Sequence, residues 1–341
     1  MTEPESPAPS PSGDTGVSVG AAGPVELLRK LNESIGQQIV GYQDVVRALS
    51  IALVAEGHIL LEGVPGLAKT HLVRTFAQTL QLSFRRVQFT PDMLPSDILG
   101  TTILRQKDQV FEFRPGPIFA NIILADEINR APPKVQSALL EAMQERQVTL
   151  DGVSHPLPVP FVVIATQNPL EHEGTYPLPE AELDRFLFRW IMGYPTAENE
   201  VEILKTRARI AESAGVLSVL TPADVERLRA LHRDVFVHDD LFHYLAGVVR
   251  QTRNDKGLLL GASPRASVQF LMAAKAAALL DGRSYVVPDD IRQLAFAVFN
   301  HRVILRPEVV SRSGNAGGPT GGISPLAQIL AQDLDAVDVP R

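Results

Sequence analysis

The segment that most restricts this chain is GVPGLAKT, Gly63–Thr70. It stands directly after the apolar run ILLE at 59–62 and opens the stretch KTHLVRTFAQTLQL at 69–82. A glycine-rich turn between a buried strand and a helix is the setting of a phosphate-binding loop. There, backbone N–H groups and the helix N-terminus surround phosphate oxygens. On this reading Gly63, Val64, Pro65, Gly66, Leu67, Ala68, Lys69, Thr70 and His71 line the phosphates of a nucleotide. Lys69 faces the β- and γ-phosphates, and the Thr70 hydroxyl ligates Mg²⁺. The strict pattern has glycine before the lysine, where this chain has Ala68. A methyl group fits there if the residue keeps ordinary helical dihedrals. The bland alternative is a Gly/Pro turn that merely precedes Lys-Thr.

The surroundings alternate in the way such a loop requires. Ile59–Glu62, Ile122–Ala125 and Phe161–Thr166 are short apolar runs suited to buried parallel strands. Residues 69–82 and 133–147 space their apolar residues three and four apart, as crossover helices do. From about 197 the strands are expected to stop. AENEVEILKTRARIAE, PADVERLRALHRDVF, DLFHYLAGVVRQTR, PRASVQFLMAAKAAALLDG and PDDIRQLAFAVFNHRV all read as amphipathic helices. The expected organisation is an acidic, linker-like tail at 1–24, an α/β domain at 25–196 and a helical domain at 197–310. A glycine-rich break and the short amphipathic segment PLAQILAQDLDAV then occupy 311–341, for which docking on a neighbour or partner is the hypothesis. Residues 89–120 and 148–160 are too long for plain loops, and inserts of that length are usually functional.

Composition closes off other classes. The 341 residues carry a net charge of −7, which argues against broad electrostatic capture by nucleic acid or an anionic membrane. There is no cysteine, so disulfides and thiolate metal sites are excluded. MTEPESPAPSPSGDTG lacks the basic and apolar regions of a signal peptide, and no apolar stretch is long enough for a membrane span. The expectation is a cytoplasmic protein without membrane insertion.

Two further strand ends carry chemistry. In IILADEINR, Asp126 holds Mg²⁺ through water and Glu127 orients and deprotonates an attacking water; the alternative is a solvated strand end or a helix cap. In VVIATQNP, the Asn168 amide holds that water or reports on the γ-phosphate; the alternative is a turn. All these groups belong at the carboxyl ends of strands, where α/β sheets bind ligands.

Together with FTPDMLPSDILGT, RPGPIFANIILADEINRAPPKVQSALLEAMQE, ATQNPLEHEGTYPLPEAELDRF and GASPRA, these residues resemble a MoxR-type AAA+ ATPase over roughly 34–305. The resemblance implies a P-loop AAA+ core with a five-stranded parallel sheet, followed by an all-helical lid domain. It also implies a homo-oligomeric ring, usually hexameric, with ATP and Mg²⁺ at subunit interfaces. Gly63–Thr70 match Walker A, for which alanine at 68 is a familiar variant; Asp126 and Glu127 match Walker B, and Asn168 matches sensor 1. Val40 and Gly41, in QQIVGYQDVV, resemble the segment over adenine. The two long inserts correspond to the helix-2 insert and the pre-sensor-1 hairpin. Arg185 matches the arginine finger, with a salt bridge to Asp184 or Glu182 as the alternative. Arg265 matches sensor 2, in a helix begun by Ser263 and Pro264, and is expected to reach the γ-phosphate of its own subunit. Arg130 is a third candidate for contact across an interface.

The resemblance implies protein clients, often reached with von Willebrand factor A domain proteins, and no stable nucleic-acid binding. Three other functions compete with an ATP hydrolase that remodels partners. A nucleotide-gated binding module would not need Glu127 or Arg185. A DNA-directed motor would place Lys or Arg on a hairpin that here reads TLDGVSH, and a small-molecule kinase would need an acceptor pocket. His238 and His243 lack metal-site spacing, and Phe186, Phe188 and Trp190 read as core.

Overall fold

The computed structural model describes residues 23–36, 39–105, 107, 110–169, 174–209, 218–313 and 324–340. Most of the two linker-like stretches expected from composition lies outside the described residues.

Two helices precede the first strand, α1 (Pro24–Gly36) and α2 (Gln43–Val54). Then follow β1 (Ile59–Glu62), α3 (Lys69–Thr79), β2 (Phe84–Gln88), α4 (Pro95–Leu99), β3 (Gly100–Arg105), β4 (Val110–Pro115) and β5 (Ile122–Asp126). A 3₁₀ turn at Ile128–Arg130 leads to α5 (Pro133–Glu145), β6 (Gln147–Leu150), β7 (Val153–Pro156), β8 (Val162–Gln167), α6 (Glu180–Leu183) and β9 (Phe188–Ile191). The remainder comprises α7 (Ala197–Arg209), α8 (Pro222–Arg233), α9 (Asp239–Asn254), β10 (Leu258–Leu260), α10 (Pro264–Leu280), α11 (Pro288–Phe299), β11 (Ile304–Leu305), α12 (Pro307–Ser313) and α13 (Pro325–Asp335).

The main sheet has five strands in the order β2-β5-β8-β1-β9, all parallel. Its central strands are apolar throughout because both faces are covered, and successive residues serve opposite faces. Ile59, Leu61, Ile122, Leu124, Val162 and Ile164 pack with α1, α2, α3 and the helices beyond 220. Leu60, Ile123, Ala125, Val163 and Ala165 pack with α5 and the inserts. The helical segment is therefore continuous with one face of the sheet: α2 lies against α8 and α10, and α1 against α3 and α10.

Both long inserts are antiparallel hairpins, β3–β4 and β6–β7. The β3–β4 arm leaves the core where its two ends cross at Gly100 and Gly116. A Cβ on Gly116 would lie 2.1 Å from the Ile98 carbonyl oxygen and 2.5 Å from the Gly100 nitrogen, so only glycine fits. Gly100 also has φ +102°, a conformation that side chains rarely adopt.

The structure corrects four expectations. Strands do not stop at 197, since β10 and β11 form a small antiparallel ladder in the helical part. α11 ends at Phe299, before NHRV, because Asn300, His301 and Arg302 bond the 184–189 segment instead. α13, capped by the Ser324 hydroxyl, docks on its own chain: Leu330 and Leu334 are buried, and Arg292 of α11 pairs with Asp335. Finally, Ala68 is not helical. It sits at the N-cap of α3 with φ 55° and ψ 25°, in the left-handed region.

Two features of the fold have measurable consequences. His58, fully buried before β1, takes the Val163 N–H at Nδ1 and meets Phe161 edge-on. Burial, with Arg146 second, pushes its imidazole pKa down to about 3. An unfolded histidine titrates near 6.5, so below that pH the unfolded chain binds a proton that the folded chain refuses. The contribution is complete above about pH 6.5 and falls by up to about 1.4 kcal/mol per unit on acidification towards pH 3. Urea unfolding at pH 7.5 and 5.5 should show a smaller acid loss for His58→Gln than for wild type; equal losses would refute the assignment. The left-handed alanine costs about 1 kcal/mol relative to glycine. Ala68→Gly should accordingly raise the urea midpoint, and a lower midpoint would show that the site carries no strain.

Candidate active site

Strand register determines which side chains meet. Pairing of Glu62 with Gln167, Ala125 with Ala165, and Gln88 with Asp126 brings the carboxyl ends of β1, β8, β5 and β2 to one edge. The loop after β1 is bound to β8 by the Gly63 N–H on the Gln167 carbonyl, 3.4 Å. It is bound beneath by Arg189, whose Nε donates to Glu62 Oε2 at 2.5 Å. Gly63 has Leu67 and the Met192 carbonyl each 3.0 Å from where a Cβ would sit, and Gly66 has φ +88°. Pro65, Gly66 and Ala68 are exposed, while Leu67 is buried and anchors the turn. Ala68 offers no side-chain acceptor to the first turn of α3, so the helix start has no side-chain cap at the point where an anion would bind. Lys69 Nζ donates to the Gly63 carbonyl at 2.5 Å, curling the lysine back over the loop.

The acidic partners are in place. Thr70 Oγ1 donates to Asp126 Oδ2 at 3.1 Å. The same oxygen accepts from Arg86 Nε and Nη2, at 2.9 and 2.7 Å, and Thr166 Oγ1 donates to Oδ1 at 2.5 Å. A threonine hydroxyl beside a nearly buried carboxylate is a hard oxygen pair of the type that suits Mg²⁺. Glu127 is left-handed, φ 59° and ψ 51°, a strained conformation for a non-glycine residue at a strand end. Its N–H bonds Thr166 Oγ1 at 2.9 Å, and its Oε2 accepts from Gln88 at 2.7 Å and Arg130 at 3.2 Å. Arg130 thus lies beside Glu127 in its own subunit. Asn168 is buried just past β8, on the same edge.

Val40 and Gly41 precede α2. Gly41 is buried with φ +77°, and Asn199 of α7 lies 3.0 Å from where its Cβ would be. Asp44, at the start of α2, accepts from Trp190 Nε1 on β9 at 3.3 Å. His71 is half-buried in the first turn of α3.

The two arginines stand elsewhere. Arg185 and Arg265 line one cleft with Glu56, His58, Arg146 and Gln269. Glu56 and His58 precede β1 whereas Gly63 follows it, so this cleft is at the amino ends of the strands. It is separated from the loop by the length of β1, about 13 Å for four residues. The expected reach of Arg265 over its own loop is not met, because its helix start is fastened to that far edge. The Ser263 hydroxyl, which caps α10, also donates to both Asp184 oxygens, at 2.9 and 3.1 Å. The salt-bridge alternative for Arg185 is not what the geometry gives either. Asp184 is taken by Ser263 and Arg302, Glu182 accepts from Ser137, and Arg185 Nη1 donates to the Leu140 carbonyl at 2.9 Å.

Sequence reading missed Thr166, Arg86 and Gln88. The signal for the last two was alternation in FRRVQ, which places Arg86 and Gln88 on one side of β2.

The inserts carry an apolar groove lined by Phe111, Phe113, Leu150, Val153 and His155, with His155 stacked on Phe113 at 3.9 Å. Among the described residues no helix is long and apolar enough to cross a membrane.

Comparison with known proteins agrees with this geometry. A family profile described as "ATPase family associated with various cellular activities (AAA)" matches residues 58–188, and one described as "AAA lid domain" matches 250–316. The Bacillus subtilis protein YeaC is 48% identical over 83% of this chain and 88% of its own length. The protein named Chaperone MoxR1 of Mycobacterium tuberculosis is 45% identical, covering 88% of this chain and 81% of its own. A solved crystal structure from Cytophaga hutchinsonii superposes with a TM-score of 0.84 at 41% identity, covering 93% of this chain and 96% of that one. With a phosphate loop, an Asp-Glu strand end, a five-stranded parallel sheet and a helical lid, the chain belongs to the MoxR-type AAA+ ATPases.

Proposed function

We propose that this chain hydrolyses ATP at sites completed between copies of itself, and that the cycle drives remodelling or activation of partner proteins. One observation carries the reading. The phosphate loop with Thr70, Asp126, Glu127 and Asn168 occupies one edge of the sheet, while Arg185 and Arg265 occupy the opposite edge. A head-to-tail neighbour would bring the second set to the first, as in a ring, for which six subunits is the family habit.

Within one subunit the loop N–H groups and Lys69 bind the β- and γ-phosphates, and Val40 and Gly41 border the base. Thr70 and Asp126 would hold Mg²⁺, which when bound would neutralise negative charge on the phosphates. Glu127 accepts the proton of the attacking water, and the Asn168 amide orients that water. Gln88 and Arg130 fix the Glu127 carboxylate until substrate draws it forward. From the neighbour, Arg185 and Arg265 supply positive charge where it develops on the transferring phosphoryl group. Both arginines in trans replace the expectation that Arg265 acts within its own subunit. The apolar groove between the hairpins supports a protein client, and the relative named Chaperone MoxR1 supports the same class of work. A von Willebrand factor A partner is proposed from family likeness alone, and a cytoplasmic location from the sequence composition.

Steady-state hydrolysis tests the core of the proposal. Glu127→Gln should bind ATP like wild type and turn over about 100-fold more slowly or worse; equal, negligible rates in both proteins would favour the nucleotide-gated module. Arg185→Ala and Lys69→Ala should each be inactive alone. Mixed after subunit exchange they should regain hydrolysis, because each restores at the interface what the other lacks. Failure of the mixture to recover would overturn the shared site.

A further inference from the structure

A buried cluster links the cleft to the helical domain in a way that the proposed chemistry does not use. Arg302, just past α11, has a fully buried side chain. Its Nε donates to Asp184 Oδ1 at 2.8 Å, and Nη1 donates to the Leu187 carbonyl at 3.1 Å and to the Val298 carbonyl. Nη2 donates to the Phe186 carbonyl at 2.5 Å, to the Asp184 carbonyl at 3.4 Å and to Gln269 Oε1. The flanking residues add to the grip: His301 Nε2 meets the Phe186 carbonyl at 3.0 Å, and Asn300 Nδ2 donates to the Arg189 carbonyl at 2.9 Å.

The polar backbone around Arg185 is thus held by one tripeptide, Asn300-His301-Arg302. Burial pushes the Arg302 pKa down to about 10, so the guanidinium stays charged at neutral pH and balances Asp184. Asp184 in turn accepts from Ser263, the cap of the helix that carries Arg265. Gln269 of that helix touches Arg302 and also donates to the Arg185 carbonyl at 3.5 Å. Arg185 and the start of α10 therefore hang on one charge pair, a buried arginine with a half-buried aspartate.

An ion pair built on a buried arginine is a poor source of stability compared with apolar packing, although stranding the arginine without its partner is costly. Its distinctive capability is orientation: a planar, five-donor fork fixes several carbonyls at once.

We infer that Arg302 is the positioning residue for the trans-acting arginines, locking Arg185 and Arg265 to the helical domain so that both are presented to the neighbouring site as one unit. The inference rests on the shared-site reading above. A shift of the arginines of about 1 Å would be worth up to a hundredfold in rate.

Subunit mixing separates this role from a general structural one. Arg302→Gln alone should lose about tenfold or more of its turnover, while ATP binding stays near wild type. Mixed with Lys69→Ala, which has intact arginines, it should recover hydrolysis; mixed with Arg185→Ala, which shares its defect, it should not. Recovery with Arg185→Ala but not with Lys69→Ala would put the damage in the variant's own nucleotide site and overturn the inference, as would recovery with neither. The Arg185→Ala and Lys69→Ala mixture run in parallel reports on the shared-site reading by itself. If it complements while Arg302→Gln follows the wrong pattern, only the present inference falls. Should Arg302→Gln fail to fold, Gln269→Ala at the half-buried helix surface answers the same question. It should lower turnover with unchanged ATP binding and be rescued by Lys69→Ala, and wild-type turnover in Gln269→Ala would refute the inference.

Discussion

Parallel pairing of β1 with β8, and of β8 with β5, is the constraint from which the rest of the site follows. With that register fixed, Gly63, Asp126 and the Gln167–Asn168 step must arrive at the same edge. Hydrogen bonding completes the alignment. Thr166 joins the Asp126 carboxylate to the Glu127 backbone, so two neighbouring acidic residues are turned in different directions by one hydroxyl. Asp126 faces Thr70 and the loop, whereas Glu127, forced left-handed, faces Gln88 and Arg130. The backbone thereby gives the two acids different surroundings.

The opposite edge is governed by a different physics. The loop edge is held by sheet register and helix start, both local to the α/β part. The arginine edge depends on side chains that come from more than a hundred residues further along the chain, from Asn300 to Arg302. On the proposed shared site, a register-held edge on one side and a charge-held junction on the other would suit subunits that keep their phosphate grip while changing their mutual angle.

Three of the five sheet strands were legible from apolar runs, because a strand buried on both faces has no polar position to interrupt it. β2 was not, since FRRVQ is an edge strand with only Val87 buried; β9, with FRWI, was half legible for the same reason. The five-strand count came from family likeness rather than periodicity. The phosphate loop and the Asp-Glu pair were readable because their spacing to strand and helix is itself the signal. The conformation of Ala68 was not, since nothing in its identity announces a positive φ. The placement of Arg265 failed for another reason: sequence puts it in the first turn of a helix, but the edge to which that helix is tied depends on Ser263, Asp184 and Arg302 together. Likewise NHRV continues the apolar period of α11, and only the buried carbonyls of 184–189 explain why the helix stops.

The crossing of Gly100 and Gly116 has a mechanical meaning. Two backbones touch there without side chains between them, and the joint is bound on either side by Gly116 N–H to the Leu99 carbonyl and Ile118 N–H to the Ile98 carbonyl. Because α4 lies against α5, which begins just after Glu127 and its 3₁₀ turn, any tilt of α5 would reach the β3–β4 arm through this joint. The arm's strands, six residues each, project about 20 Å, so a few degrees at the glycines would become a displacement of about an ångström beside Phe111. The insert has the proportions of a lever whose fulcrum is a pair of hydrogens.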